Sequence, residues 1–389
     1  MFLQKKILVT CIDAPFIGGA GTNAYNLIKL LRNILKYKVI GLFINSNNSW
    51  NIDPHNIGDI FYYNPNRTNL NEVKAKINKV LNGDPDIIFA KNYISIFISK
   101  KIYAKTTLIF LPSGSSYYTH YCSIKETIPI SELIKKLEHS EIKLNDIITD
   151  KGKWPCFPNS CPIGCDCEIR AIQIADKIIP NSQITENLLN LMCKNIKMGE
   201  NYVVDKILKY IPISGLYDLT YFNKIKKNID FFLRKYDIIF VCFNWKRKLK
   251  NLELVGKIIN SAKLKNYLGL IIGNNCETIK SEYSNFMMFK AIDNKALFEF
   301  LCNSKCLVCT SYYDSYPNVI TEANLSGCNI ISSQNIGQFN LIPKELLIND
   351  FYNIDEWIEK IMIGTNTKFQ ALKFNQFDVL NKLDEFIKK

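Results

Sequence analysis

The sequence has few groups that titrate near neutral pH, because only three of its 389 residues are histidine. His55, His120 and His139 do not fall into a recognisable motif. A histidine general base, which is the commonest kind in enzymes, is therefore not indicated by the sequence.

Long apolar runs are also missing. No stretch of 18 or more apolar residues occurs, so we expect no membrane-spanning helix. The apolar part of Met1–Thr10 is too short for the core of a secretory signal and is typical of a first strand. We therefore expect a cytoplasmic protein whose 13 cysteines, an odd number, are mostly reduced thiols.

Acidic residues are fewer than basic ones, 36 against 49, which gives a net charge of +13. This balance favours anionic partners, namely nucleotides, nucleic acid or an acidic membrane surface. The alternative is lysine scattered over the surface, since the lysines are spread along the whole chain. No aromatic and basic motif of a nucleic-acid-binding module is present, so we do not predict nucleic acid as a partner.

Short β-type apolar runs alternate with helical patterns along the chain, which predicts an α/β fold with parallel sheets. At about 100–200 residues per domain, the length favours two domains. Two sets of predicted strands follow: Lys6–Cys11, Lys38–Ile44, Asp86–Ala90, Thr107–Leu111 and Lys177–Pro180, then Asp237–Phe243, Tyr267–Ile272, Phe286–Phe289, Cys306–Cys309 and Cys328–Ser332. We predict domains at 1–213 and 214–389, with an irregular, cysteine-rich insertion at 119–167.

A glycine-rich stretch follows the first strand and opens a helix. Gly18, Gly19 and Gly21 would let the backbone approach a phosphate at the helix N-terminus. The spacing imitates a dinucleotide fingerprint, but the glycines lie well beyond Cys11, and the second strand ends at Ile44 without a carboxylate for a ribose. The alternative is a plain glycine-rich turn.

The most specific motif lies between Thr310 and Gly337. Asp314 is placed on a loop after a strand, and Glu322 is placed eight positions later on a helix. At about 1.5 Å per residue, Glu322 would lie roughly 8 Å along that helix. Two acids at this separation can hold two sugars of one ligand, with the intervening backbone amides facing a diphosphate. The alternative is a solvated helix face.

This stretch resembles the acid-x7-acid signature of glycosyltransferase family 4 and its relatives in the GT-B superfamily. The resemblance implies that Asp314 contacts the donor sugar and that Glu322 holds the nucleotide ribose. It also implies a phosphate-binding segment made of Ser315, Tyr316, Pro317 and Asn318. Asp314 stands where the family usually has glutamate, which shortens the reach toward the sugar.

Three further stretches support the resemblance: Gly18–Gly21 with the residues after it, 175–182, and 211–218. It implies two Rossmann-like domains facing each other across a cleft, with an N-terminal acceptor side and a C-terminal donor side. It also suggests a final helix, around Leu380–Lys388, that crosses back onto the first domain. Residues 119–167 lie outside it.

A basic run follows the predicted strand Asp237–Phe243. The resemblance implies an arginine and a lysine here that neutralise the leaving diphosphate, and we assign these roles to Arg247 and Lys250, with Lys246 as the alternative to Arg247. Side chains and amides can supply this charge without a metal ion. A solvated charge run is the other interpretation.

Four thiols fall within 12 residues, at Cys156, Cys161, Cys165 and Cys167. Four thiolates can close a tetrahedral zinc site, but the spacing is not that of two Cys-x2-Cys pairs. Structural zinc, free thiols and a disulfide all remain open.

The sequence therefore predicts a metal-independent, retaining glycosyltransferase that needs no cofactor. Its donor would be a nucleotide diphosphate sugar, and its acceptor an unidentified glycan, lipid or protein. Peripheral membrane association stays open. The alternatives are a nucleotide-sugar epimerase and a non-catalytic protein of the same fold.

Overall fold

The computed structural model describes residues 4–15, 18–44, 60–64, 68–142, 164–195, 204–283, 285–290, 292–370 and 374–389. The chain divides into two compact units. Unit 1 contains Met1–Lys125, Lys136–Tyr217 and Asn375–Lys389, and unit 2 contains Glu126–Lys135 and Asp218–Phe374.

Unit 1 is built on a parallel sheet of six strands in the order β3-β2-β1-β4-β5-β6. The strands are β1 (Lys6–Cys11), β2 (Lys38–Ile44), β3 (Ile60–Tyr63), β4 (Ile87–Lys91), β5 (Thr107–Leu111) and β6 (Lys177–Ile178). The two central strands are in register, with Ile7 opposite Ile87 and Cys11 opposite Lys91. Because both faces of this sheet are covered, β1 and β4 are almost completely buried, which explains their continuous apolar sequences.

Helices connect these strands, and their apolar residues recur at helical spacing. The helices of unit 1 are α1 (Gly18–Asn33), α2 (Leu70–Leu81), α3 (Tyr93–Ile102), α4 (Ser116–Ile124), α6 (Gly164–Ile174), α7 (Gln183–Asn195) and α13 (Gln376–Lys388), together with the last turn of α5 (Ile130–Glu138). In α2, for example, Val73, Ile77 and Leu81 are buried at four-residue intervals, and Asn69 caps the first turn by accepting from the Asn71 amide.

The segment that leads out of unit 1 is held tightly by that unit. Asn26 Nδ2 donates to the Leu216 carbonyl at 3.1 Å, and the Tyr217 amide donates to Gln376 Oε1 at 3.0 Å. We expected a polar connection from Ile213 onward, but Ile213, Ser214 and Gly215 are buried. The chain therefore enters the main part of unit 2 only after Tyr217.

Unit 2 contains a second parallel sheet of six strands, in the order β12-β11-β10-β7-β8-β9. Its strands are β7 (Tyr236–Asn244), β8 (Gly269–Asn274), β9 (Phe286–Phe289), β10 (Ser304–Cys309), β11 (Asn329–Ser333) and β12 (Leu347–Ile348). Its helices are α8 (Leu219–Ile225), α9 (Leu252–Ile259), α10 (Asn294–Cys302), α11 (Asn318–Ser326) and α12 (Ile354–Asn366). The start of α5 also belongs to unit 2, since the Ile130 amide donates to the Tyr312 carbonyl at 2.9 Å.

The prediction of two α/β units with parallel sheets is confirmed, while two details differ. Strands β3 and β12 were not predicted. Both are short and lie at sheet edges, as do β6 and β9, whose apolar runs were recognised. Residues 119–167, which we expected to be irregular, include α4 and α5 and the start of α6 within their described part. In α5 the buried residues Ile130, Leu133, Ile134 and Leu137 follow the helical pattern that the prediction missed.

Among the described residues, none of the helices is both long and apolar enough to cross a membrane.

Candidate functional site

Three adjacent parallel strands of unit 2, β7, β10 and β11, place their carboxyl ends at one edge of the sheet. The loops that follow them meet there. Thr310 Oγ1 donates to the Lys250 carbonyl at 2.9 Å, and Ser332 Oγ donates to the Cys309 carbonyl at 2.8 Å. This edge is where ligands bind in open α/β sheets.

Lys250 and Asp314 meet at this edge although 64 positions separate them. Lys250 Nζ lies 2.5 Å from Asp314 Oδ2, and the two side chains are 18% and 22% exposed. Burial lowers the pKa of the Lys250 ammonium, but the charge and hydrogen bond of Asp314, together with the neighbouring Cys242 and Cys309, more than offset burial and raise that pKa above its ordinary value. Lys250 is therefore a half-buried cation that stays charged at neutral pH.

The loop that carries Asp314 has a fixed backbone. The Asp314 amide donates to the Asn335 carbonyl at 3.1 Å, and the Gly337 amide donates to the Asp314 carbonyl at 2.9 Å. The Tyr316 amide donates to Asp314 Oδ1 at 3.3 Å. Of the four residues expected to offer amides, Tyr316 thus already has a partner and Pro317 has no N–H.

Glu322 lies in the second turn of α11 and is half-buried. The first turns of this helix hold two buried polar atoms, Asn318 Oδ1 and Thr321 Oγ1, for which the described part of the chain offers no hydrogen-bond partner. Gln338 Nε2 donates to the Pro317 carbonyl at 2.8 Å, and Gln338 Oε1 is a third buried atom without a hydrogen-bond partner among the described residues. Orphaned polar atoms in the interior are rare and are often found where a ligand or water binds.

The basic run splits into one engaged lysine and a set of exposed side chains. Lys250 closes the short 3-10 turn Lys248–Lys250 and points to Asp314. Arg247, to which we assigned a diphosphate contact, precedes that turn and is exposed, as is Lys246. The structure therefore brings Lys250, but not Arg247, to the acidic residue.

The backbone beside this run is tightly packed. Trp245 Nε1 donates to the Ile272 carbonyl at 3.1 Å. Gly273 has φ of +136°, and a Cβ at this position would lie 1.7 Å from the Cys242 carbonyl oxygen. Only glycine fits such a position, so the carboxyl ends of β7 and β8 are held rigidly together.

Gly18, Gly19 and Gly21 lie in the first turn of α1, in unit 1. A Cβ on Gly21 would lie 1.9 Å from the Ala14 carbonyl oxygen, so this glycine is required by the contact between α1 and the preceding loop. Gly19 is exposed. A role in phosphate binding stays a prediction for Gly18 and Gly19, whereas Gly21 has a sufficient packing reason.

Unit 1 has its own polar cluster at the carboxyl edge of its sheet, which the sequence did not reveal. Lys91 ends β4, is 3% exposed and donates from Nζ to Ser214 Oγ at 3.0 Å. Burial lowers the pKa of the Lys91 ammonium to about 8. The next residue, Asn92, has φ of 68° and ψ of 164°, a backbone conformation that only glycine adopts easily. Strained backbone and perturbed pKa values often accompany function.

The buried Lys91 predicts a pH-dependent stability. Its pKa is about 8 in the folded chain against 10.5 when unfolded. Between these values the unfolded chain holds a proton that the folded chain lacks, so stability rises with pH. From about pH 7.5 to about pH 9, the native protein should gain about 1 kcal/mol of unfolding free energy relative to Lys91→Met, measured by urea denaturation. A constant difference across this range would contradict the assignment.

That comparison ends near pH 9 because a second group acts in the opposite direction. Burial raises the pKa of the Cys11 thiol, beside Lys91 in the sheet, from 9.0 to about 12. Above about pH 9 the unfolded chain therefore loses a thiol proton that the folded chain keeps, which lowers stability.

The side chains of the four clustered cysteines lie outside the described part of the structure. Cys156 and Cys161 lie outside the described residues, and Cys165 and Cys167 lie at the start of α6, where side chains are not described. Within the described part of the chain, no three His, Cys, Asp or Glu side chains are grouped as metal ligands. Nothing in the structure therefore supports the zinc alternative.

Comparison with known proteins shows similarity of structure rather than of sequence. No protein-family model and no curated protein matches the sequence. A sucrose-phosphate synthase from Thermosynechococcus elongatus superimposes with a TM-score of 0.57 at 14% identity, covering 99% of this chain and 98% of its own. Anabaena HepE in complex with UDP-glucose gives a TM-score of 0.57 at 12% identity, covering 98% and 99%.

A third similar structure is a UDP-N-acetylglucosamine 2-epimerase, described as putative, from Listeria monocytogenes. Its TM-score is 0.55 at 12% identity, and the match covers 100% of this chain and 96% of that one. These neighbours include nucleotide-sugar glycosyltransferases and an epimerase, so they establish architecture but not reaction. The two parallel six-stranded sheets with their helices give this chain the GT-B fold.

Proposed function

We propose that this protein is a glycosyltransferase that moves a sugar from a nucleotide diphosphate sugar to an acceptor hydroxyl. The observation that carries the proposal is the ion pair between Lys250 and Asp314 at the start of the acid-x7-acid segment. It joins a cation suited to a diphosphate to a carboxylate suited to sugar hydroxyls. The resemblance to family 4 and the UDP-glucose bound to Anabaena HepE support the same donor class.

In this proposal unit 2 binds the donor. Glu322 holds the ribose hydroxyls, Lys250 contacts the diphosphate together with the segment Ser315–Asn318, and Asp314 turns toward the sugar. Arg247 is exposed and long enough to approach the phosphates from outside the Lys250–Asp314 pair. Unit 1 binds the acceptor, at the edge where Lys91 and the strained Asn92 lie.

The transfer step breaks the bond between the anomeric carbon and the diphosphate oxygen, and forms one between that carbon and the acceptor oxygen. The acceptor proton passes to the departing diphosphate, which leaves as the nucleoside diphosphate. No protein base is needed for this step, and it proceeds with retention of the anomeric configuration. The Lys250 ammonium stabilises the negative charge that grows on the leaving group.

An epimerase is the second candidate, because the Listeria structure shares the fold. The two reactions differ in their products. A glycosyltransferase releases nucleoside diphosphate and attaches the sugar to an acceptor, whereas an epimerase that acts only on the donor returns an isomeric nucleotide sugar. Thermal-shift screening of nucleotide sugars identifies the donor, because a ligand present at 100 times its Kd stabilises the folded chain by about 2.7 kcal/mol.

The proposal is then tested by product analysis of the donor so identified. Release of nucleoside diphosphate, dependent on an added acceptor and with unchanged anomeric configuration by NMR, supports it. Recovery of an isomerised nucleotide sugar without acceptor would favour the epimerase. Absence of any stabilisation by the screened nucleotide sugars would contradict both candidates.

We expect sugar transfer, or slow donor hydrolysis, to persist in excess EDTA. In the proposed site the Lys250 ammonium, helped by Arg247, supplies the positive charge that the leaving diphosphate needs. Rates with and without chelator should agree within about twofold. Loss of a Lewis-acid metal would have a far larger effect, because such a metal supplies several kcal/mol to a transition state and each 1.4 kcal/mol is about a factor of ten in rate. Complete loss of activity that Mg²⁺ or Mn²⁺ restores would reject the metal-free mechanism. A parallel zinc analysis of the treated protein separates any effect at the cysteine cluster.

A further inference from the structure

An exposed apolar pair with basic neighbours stands on the surface of unit 2, between α8 and β7. Phe232 is 61% exposed and Leu233 is 80% exposed, and Tyr221 on α8 is 42% exposed. Lys224, Lys226, Lys227 and Lys235 are exposed around them in the sequence. We call these seven residues the basic aromatic patch.

The backbone beneath this patch is anchored. Asp230 begins a short 3-10 turn by accepting from the Phe232 amide at 2.9 Å, and Phe231 is buried against the core. On the other side, buried Arg234 donates to the carbonyls of Ser304 and Ser326 at 2.8 and 2.9 Å. Phe232 and Leu233 are therefore held outward by a fixed turn.

The patch is basic as well as apolar. From Lys224 to Lys235 the sequence contains five basic residues and one acidic residue. That acid, Asp230, is used in capping the turn, and Glu299 on α10 lies 3.7 Å from Lys227. Lys235 lies over the Tyr236 ring at 5.2 Å. Asp230 and Glu299 therefore balance only part of the positive charge of the five basic residues between Lys224 and Lys235.

We propose that the basic aromatic patch docks unit 2 on an anionic lipid surface. Large apolar side chains flanked on both sides by lysines match the layering of a membrane interface, where apolar groups enter below the headgroups and lysines lie at the phosphates. A partner that offers only negative charge would use the lysines but would leave Phe232 and Leu233 in water.

The position of the patch in the fold is compatible with this role. It precedes β7, which begins at Tyr236, whereas Lys250 and Asp314 lie beyond the carboxyl ends of β7 and β10. The patch and the candidate donor site are therefore at opposite ends of the same sheet. Docking would leave the donor site of unit 2 uncovered, and the inference does not depend on the proposed function.

The test is co-sedimentation of the full chain with two kinds of vesicle, one of phosphatidylcholine and one containing about a third phosphatidylglycerol. We expect binding to the anionic vesicles only, and at least tenfold weaker binding when salt rises from about 0.1 M to about 0.5 M. The double variant Phe232→Ser, Leu233→Ser should lower the partition coefficient at least tenfold, because it removes the apolar insertion. Lys226→Glu with Lys227→Glu should do the same through charge.

Phe377→Ser is the matched control, because Phe377 is 63% exposed and lies on α13 of unit 1. It should bind vesicles like the native chain. The substituted side chains are exposed, and unchanged circular dichroism melting confirms that the variants fold. Failure of the native chain to bind anionic vesicles would overturn the proposal. So would equal binding to neutral vesicles, unchanged binding of the Phe232 and Leu233 variant, or retention by heparin without retention by vesicles.

Discussion

Replacing Lys250 by methionine should lower kcat/KM for sugar transfer by about 10²- to 10³-fold, the usual cost of removing one group that stabilises the charge of a transition state. Lys250 is only 18% exposed and is held at Asp314, so its charge lies in a poorly solvated position where it acts strongly on a ligand. Methionine keeps much of the length and removes the charge. The measurement is steady-state transfer with the donor found by screening.

The matched control for this variant is Lys248→Met. Lys248 lies in the same 3-10 turn but is exposed, so its loss should change kcat/KM by less than about threefold. If both variants lose activity equally, the basic run acts as a diffuse field rather than through one positioned ammonium. A fully active Lys250→Met protein would reject the proposed role.

The loss of Lys250 also affects its partner, and this effect must be separated from catalysis. Without the ammonium, Asp314 remains as a half-buried carboxylate with Tyr316 as its hydrogen-bond donor. The double variant Lys250→Met, Asp314→Asn removes that charge. Because Asp314 is itself assigned to the donor sugar, the kcat/KM of the double variant is compared with that of Asp314→Asn alone. A further loss on removing Lys250 would assign the ammonium a part in the reaction, whereas equal rates would assign Lys250 a structural role only.

The architecture was predictable because the strands of both sheets are buried on both faces. Continuous apolar runs such as Lys6–Cys11 and Thr107–Leu111 have few other uses in a chain without membrane-spanning stretches. Short edge strands gave a weaker signal. The two-residue strand β12 (Leu347–Ile348) was missed, whereas the run that contains the equally short β6 was recognised. Their structure depends on pairing with a neighbour that the local sequence does not describe.

The two acidic residues of the candidate site could also be proposed from the sequence, since Asp314 and Glu322 belong to one consecutive strand, loop and helix. Which basic residue of the run contacts Asp314 was seen only in the structure. The short distance from Lys250 to Asp314 depends on β7 and β10 being neighbours in the sheet, which the sequence does not state. Gln338 could have been predicted as a residue of the candidate site, since it follows the next parallel strand at the same edge. The buried Lys91 could not have been predicted, because its hydrogen-bond partner Ser214 is 123 positions away.

Glu322→Gln should weaken nucleotide diphosphate binding by about 10- to 100-fold, because hydrogen bonds to a charged acceptor contribute about 1.5–3 kcal/mol and each 1.4 kcal/mol is a factor of ten. Glutamine keeps the shape of the side chain but loses the charge and replaces one acceptor oxygen by a donor, so it cannot accept from two ribose hydroxyls with two separate oxygens. Because glutamine is nearly the same size as glutamate and Glu322 is only half-buried in the second turn of α11, we expect the variant to fold.

Isothermal titration calorimetry with the nucleoside diphosphate measures this loss directly, without need of an acceptor. The control is Glu253→Gln on α9, where the glutamate is exposed and pairs only with Lys257 four residues later, so the affinity should stay within about twofold. A deoxyribose nucleotide adds a second check. If Glu322 holds the ribose hydroxyls, the native protein should bind the 2′-deoxy ligand more weakly, and Glu322→Gln should discriminate less between the two ligands. Native affinity in Glu322→Gln would exclude a ribose contact, whereas a loss of affinity with unchanged discrimination would move Glu322 from the ribose to another part of the nucleotide.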